Sequence, residues 1–234
     1  MGTVNYNAEL FDILKDLTSI NNAVVLDKEE KKVVVRRADS ESTIAYELTA
    51  PKEYFDFKDE QVAFYNYNEF YQYLKAFVNS PELSIDNKKV NMKDGSARTV
   101  YLMSNPEAIP PGPKSINFTD PDIRFKFKAS DHDEFIRMIN LIKPKKAQIF
   151  GKGDKITIKI FNNLHDNTFE KEFEVENLSN NADEEVDFVI FSDTFEQFPQ
   201  KRDYQIEIKK QGFVRISLVD EKMTLDVYTG RIKS

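Results

Sequence analysis

Two histidines, His132 and His165, are the only imidazoles in the chain, and there is no cysteine. Thiolate nucleophiles, thiolate metal sites and disulfides are therefore excluded. His132 lies in SDHDEF, in the first turn of a predicted helix among acids, where a solvated role is expected. His165 stands beside Asp166 in FNNLHDNTFE, a predicted hairpin loop. Two adjacent ligand types with no further partner do not make a metal site. GKGDK, residues 151–155, has glycines but not the Walker spacing, and turn chemistry explains it. Forty Asp and Glu residues single out no carboxylate pair, and neither G-x-S-x-G nor H-E-x-x-H occurs. These residues point to a protein that binds or assembles, with no enzyme activity, cofactor or metal expected.

The elements around them repeat. NYNAELFDILKDLTSI predicts a helix capped by Asn7, with Leu10, Phe11, Leu14 and Leu17 on one face. Strands follow in AVVLDKEEKKVVVRR, STIAYELT and QVAFYNY. Asn68 is expected to cap a second helix carrying Phe70, Tyr71, Leu74 and Phe77 or Val78, which Ser80-Pro81 stops. ELSID, KKVNMK and ARTVYLM are further strands. The second half reads alike. Ser130 is expected to cap a helix with Phe135, Met138 and Leu141 or Ile142 on its apolar face. Strands in AQIFGKGDKITIKIF, TFEKEFEVENL and DFVIF follow, then Ser192 opening a fourth helix over DTFEQF, then three strands. Phe11 and Phe135, Leu14 and Met138, Leu17 and Leu141, Ala23 and Ala147, and the caps Asn68 and Ser192 are each 124 residues apart. One spacing serving two helices and a strand start indicates an internal duplication.

Between the halves, SNPEAIPPGPKSINFTDPD holds five of the nine prolines. Proline stiffens the chain and removes backbone donors, so a linker is expected at 106–122 between domains at 1–105 and 123–234. At 234 residues and 40% hydrophobic, the chain can bury two cores. The expected class is α+β, with two helices per domain against antiparallel sheets. No apolar run approaches the roughly 20 residues of a membrane span, and no basic-then-apolar leader is seen. The net charge of −7 argues against a tight grip on nucleic acid. Nineteen Phe and ten Tyr could stack on single strands, but most sit at the apolar phase of their elements. Tyr65, Tyr67, Tyr71 and Tyr73 stay open, because periods 2 and 3.6 disagree about which point inward.

Several long stretches together resemble the DNA polymerase sliding clamps of the PCNA-like superfamily, and most closely those of T-even-type bacteriophages. They are LFDILKDLTSINNAVVL with VVVRRADSESTIAYELT, VAFYNYNEFYQYLKAFVNSPELSI, DGSARTVYLMSNP before the prolines, and KASDHDEFIRMINLI before KITIKIFNN. The resemblance implies a DNA clamp fold assembling as a ring around double-stranded DNA. It also implies a DNA polymerase partner, an ATP-driven clamp loader, transcription machinery as a partner in some phage relatives, and the cytoplasm of an infected bacterium. A size argument gives the subunit number. Eight helices spaced about 9 Å apart leave a hole of roughly 13 Å, and twelve leave roughly 24 Å, just clearing a duplex roughly 20 Å wide. For a ring, two domains per chain therefore predict a homotrimer.

In such a ring the helices line the hole. The DNA-facing candidates are then Lys15, Lys75, Arg137, Lys143, Lys145, Lys146, Lys201 and Arg202, opposed by Glu9, Asp12, Asp16, Asp193 and Glu196. A topological hold needs only a few diffuse cations. Phage clamps of this kind offer an apolar pocket near the linker for partner tails, placed here among Tyr101, Met103, Ile109, Ile116 and Phe118. Alternative readings are a single-stranded DNA-binding protein, a duplicated structural or scaffold protein, and a hydrolase using carboxylates.

Overall fold

The computed structural model describes residues 3–86, 88–163, 167–178 and 185–232; His165 and Asp166 lie outside them. The chain forms two compact units. Unit 1 comprises Met1–Ser40, Tyr46–Ser115 and Glu221–Thr224, and unit 2 comprises Glu41–Ala45, Ile116–Asp220 and Leu225–Ser234. Their main boundary falls inside the proline-rich stretch. No described helix is long and apolar enough to cross a membrane.

Unit 1 contains β1 (Thr3–Val4), α1 (Ala8–Asp16), β2 (Val24–Lys28), β3 (Lys32–Ala38), β4 (Ile44–Pro51), β5 (Gln61–Phe64), α2 (Tyr67–Lys75), β6 (Glu82–Asp86), β7 (Lys89–Asp94) and β8 (Ala97–Leu102). Its strands pair in the orders β1-β6-β7-β8 and β4-β3-β2-β5. Asn7 caps α1 as expected, its side-chain oxygen accepting from the amides of Glu9 (2.8 Å) and Leu10 (3.2 Å). The cap of α2 is Asn66, two residues earlier than Asn68. It accepts from the Glu69 amide at 3.1 Å, while the Asn68 amide donates to Asn22. Starting there brings Tyr67 into helical phase with Phe70 and Leu74, and all three are buried. This settles the tyrosines: Tyr67 is fully buried, Tyr71 half-buried, and Tyr65 and Tyr73 exposed. Val78 falls beyond the helix and is 97% exposed.

Unit 2 contains β9 (Ile123–Phe127), α3 (Ala129–Ile142), β10 (Lys146–Lys152), β11 (Lys155–Phe161), β12 (Phe169–Glu174), β13 (Glu176–Asn177), β14 (Val186–Phe191), β15 (Tyr204–Lys209), β16 (Phe213–Leu218) and β17 (Thr224–Gly230). Its strands pair in the orders β12-β11-β10-β14 and β13-β9-β15-β16-β17. The cap of α3 is Lys128 rather than Ser130, with the Asp131 carboxylate accepting from the Lys128 amide at 2.9 Å.

The expected fourth α-helix is a five-residue 3-10 turn, Ser192–Glu196. Pro199 disfavours helical backbone at Phe198, which leaves little room for an α-helix. Phe195 within the turn and Phe198 just beyond it are both 1% exposed. Ser192 does not cap it; its hydroxyl donates to the Pro144 carbonyl at 2.7 Å. The described chain therefore carries three α-helices and one short turn in place of four helices.

The units repeat the same packing. Phe11 meets Phe70, Phe55 and Tyr67 at ring separations of 5.9, 5.2 and 6.4 Å in unit 1. Phe135 meets Phe195 and Phe127 at 5.0 and 5.6 Å in unit 2. Burying each such side chain contributes about 1.5–3 kcal/mol. The 124-residue spacing holds for Phe11 and Phe135 but fails further along. Leu17 is fully buried and Leu141 is 75% exposed. After α1 the chain tightens into a 3-10 turn, Leu17–Ser19, which carries Leu17 inward. Through α3 the α-helical pitch continues, so Ile139 is buried instead, with Met138 half-buried. Ala147 is buried in β10, whereas Ala23 precedes β2 and its neighbour Val24 takes the inward place.

Candidate nucleic-acid and partner-binding surfaces

The expected DNA-facing cations fall into two sets. In unit 1, Lys75 on α2 is exposed but bound. Its ammonium is 3.1 Å from the Asp12 carboxylate of α1 and 5.1 Å from the centre of the Tyr71 ring. The hydrogen bond to Asp12 holds its pKa above the ordinary lysine value. Tyr71 donates to the same carboxylate at 2.7 Å. Lys15 is half-buried in the last turn of α1, where a cation complements the helix dipole. The two helices carry more acid than base, with Glu9, Asp12, Asp16 and Glu69 against Lys15 and Lys75.

Unit 2 differs. Arg137 on α3, Lys143 in a left-handed conformation just after it (φ 55°), and Lys145, Lys146 and Lys201 are all exposed. None of these five makes an ion pair with another described residue. Arg202 is half-buried. The acids near the start of α3 are engaged by a strand residue, because Lys171 on β12 pairs with Asp131 (2.9 Å) and with Glu134. The linear sequence gave no sign that Lys171 lies across α3.

His132 is fully buried, which corrects its expected solvated role. Its Nε2 donates to the Phe195 carbonyl at 2.6 Å, and its ring stacks on Phe198 at 4.4 Å. Burial pushes its pKa below the ordinary value. The helical phase that puts Phe135 inward also puts His132 inward, three residues earlier. Among the described residues, no cluster of three or more acids and histidines could hold a metal ion.

An apolar groove of about 910 Å³ lies within unit 2. Ile116 and Phe118 of the linker line it, joined by Phe213, Tyr228, Phe191 and the strap Gly230–Ile232. Phe213 is 57% and Phe191 40% exposed. Lys209 and Arg231 place cations in its lining. Tyr101, Met103 and Ile109 belong to unit 1 and do not line this groove. The Tyr101 ring packs on Phe70 at 5.4 Å, and its hydroxyl donates to the Asn66 carbonyl at 3.0 Å. Ile109 is buried and Met103 half-buried. Alternation along FVRISL, with Val214, Ile216 and Leu218 inward, marks Phe213 as outward-facing.

Solved structures match this chain from end to end. The PCNA of A. fulgidus, in a structure with the C-terminal region of FEN-1 bound to it, superposes with a TM-score of 0.77 at 17% identity over 100% of both chains. The fold is that of the PCNA-type sliding clamp. PCNA from Entamoeba histolytica gives 0.76 at 11% identity, over 99% of this chain and 98% of that one. PCNA from Thermococcus kodakaraensis gives 0.75 at 12%, over 98% and 99%. No protein-family model and no curated protein sequence matches the chain. In this clamp fold the aromatic residues serve mainly as core: Phe11, Phe64, Tyr67, Phe70, Phe127 and Phe135 are all fully buried. They are not available as stacking platforms for single strands.

Proposed function

We propose that this chain is a sliding clamp of a T-even-type bacteriophage. It would act in the cytoplasm of the infected cell, encircle duplex DNA as a homotrimer, and tether the replicative polymerase without catalysis of its own. The observation that carries the reading is the end-to-end match of a 234-residue chain to PCNA structures, with neither side left over. The phage assignment rests on the sequence stretches quoted above. By the same reading an ATP-driven loader opens the ring, and transcription machinery is a further partner.

The exposed cations of unit 2 suit the task. Arg137, Lys143, Lys145 and Lys146 offer diffuse attraction to phosphate on a chain of net charge −7, so DNA is guided without being held. The groove of unit 2 suits the docking of a short apolar tail, and the A. fulgidus PCNA structure has the C-terminal region of FEN-1 bound to it. Each unit also leaves an edge strand for joining copies. These are β8, with Val100 (51%) and Leu102 (68%) exposed, and β12. An unpaired edge is a template for a strand from another copy.

The test has two arms. Light scattering reads the solution mass, with three chains expected. Retention on circular but not linear duplex, in the presence of a loader, reads topology. A monomer at every concentration that binds single strands in a salt-sensitive way would sink the clamp reading. Charge reversal at Arg137 and Lys146 together tests the DNA-facing surface; unaffected loading and processive synthesis would remove these residues from it.

A further inference from the structure

The groove wall is built on an ion cluster around one buried carboxylate. Arg124 on β9, Glu207 on β15, Arg215 on β16 and Tyr228 on β17 are successive cross-strand partners, one row across four strands. Their neighbours Ile206 and Ile208 point to the opposite, core side and are buried. Glu207 therefore stands on the outer side of the sheet, yet its side chain is only 1% exposed. One carboxylate oxygen accepts from Arg124 Nε and Nη2 at 2.9 and 2.8 Å. The other accepts from Arg215 Nε at 2.7 Å and from its Nη2. Two forked contacts on one carboxylate fix the plane of both guanidiniums. Burial alone would raise the Glu207 carboxyl, and the bonds from Arg215 and Arg124 hold it below its ordinary range.

Arg215 then carries Phe118. The guanidinium carbon is 4.9 Å from the centre of that ring, Lys209 Nζ is 5.6 Å from it, and the Tyr228 ring is 6.2 Å away. Phe118 lies in no strand or helix, so these side chains hold it where regular hydrogen bonding does not. A flat guanidinium with fixed orientation is a seat that a lysine ammonium cannot reproduce.

We propose that Glu207 and Arg215 are positioning residues for the partner groove: Glu207 orients Arg215, and Arg215 seats Phe118 as the groove wall. Glu207 sets the affinity of the groove for an apolar segment without touching that segment. The inference rests on the groove being the partner site. Loss of Glu207 would also remove the one carboxylate that both guanidiniums share, leaving Arg124 with Glu176 at 3.7 Å and Arg215 with the more distant Asp226, so the row cannot keep its geometry.

The experiment places 4-fluorophenylalanine at position 118 of the full chain and follows its fluorine resonance. In the parent chain the signal is displaced from its position in urea. Glu207→Gln and Arg215→Lys are expected to lose at least half of that displacement, roughly, because the cation–π seat supplies most of it. The control Glu196→Gln, the same charge change on the 3-10 turn, is expected to leave it in place. Circular dichroism checks that each variant is folded. The discriminating variant is Arg215→Lys. It keeps a cation beside Glu207, so a purely structural ion pair predicts the parent signal, and a parent-like signal in the folded variant overturns the proposal. Titration with the uncharged peptide N-acetyl-Phe-Leu-Phe-amide gives the second readout, with binding expected to weaken about tenfold in both variants. Equal binding in parent and variants overturns the claim on affinity. No binding to the parent overturns the groove reading itself, and the ring signal then still decides the positioning role.

Discussion

An imidazole with one bonded and one unbonded nitrogen makes folding sensitive to acid. His132 donates from Nε2 to Phe195, and Nδ1 has no hydrogen-bond partner among the described residues in its buried aromatic surround. Protonation would create a second N–H with nothing to accept it. The folded-state pKa is depressed by burial, while the unfolded value is about 6.5. As pH falls through that unfolded value the open chain takes the proton first, so stability is full above it and declines below it. The slope is at most about 1.4 kcal/mol per pH unit and flattens below the folded pKa. Urea midpoints between pH 8 and 5 measure this, and His132→Phe is expected to remove this contribution to the pH dependence whatever it does to overall stability. Gly112 makes a steric prediction. A Cβ there would lie 1.9 Å from the Arg36 carbonyl oxygen. Gly112→Ala is expected to lift residues 110–112 from β3 and break the Arg37 bond to the Pro110 carbonyl (2.7 Å). The cost is about 3 kcal/mol, and tryptic cleavage after Lys114 should speed up.

At the scale of elements, the ends of helices and the edges of sheets give the sharpest expectations. Asn66 caps α2 and also accepts from Asn22 at 2.9 Å. Asn66→Ala should therefore cost about 1 kcal/mol, read as a lower denaturation midpoint with an unchanged slope. On β8 the outward residues Val100 and Leu102 make no core, so Leu102→Lys should leave the chain folded. If β8 joins copies of the chain, the same substitution should shift the mass in solution toward monomer. The elements were largely readable in advance because their periods were clean. Asn7 and the alternation in β16 are examples. The fourth helix was not, since α-helix and 3-10 turn use the same apolar residues over one turn and differ only in what Pro199 permits.

For the whole molecule, the contrast in charge between the two units carries the expectation. The two units differ, with Lys75 tied to Asp12 in one and Arg137, Lys143, Lys145 and Lys146 in the other making no ion pair with a described residue. On the clamp reading, Lys75→Ala should change salt-dependent DNA association less than Arg137→Ala, because Asp12 already offsets the first charge and no described residue pairs with the second. Residence of loaded clamps on nicked circles at several salt concentrations would measure it. An equal loss for both would place DNA contact on each unit alike.

Reading along the chain was enough for the α+β class, the place of the proline-rich stretch and the absence of cysteine chemistry. All of these follow from composition and local period, which are written in order along the chain. Tertiary structure alone decided that His132 is sealed, that Lys171 answers the acids of α3, and that Tyr101 packs on Phe70 rather than lining the groove with Phe118. It also decided that Arg124, Glu207, Arg215 and Tyr228 form one row. Those four are drawn from 105 positions of chain, and only strand pairing, which has no local signature, brings them side by side.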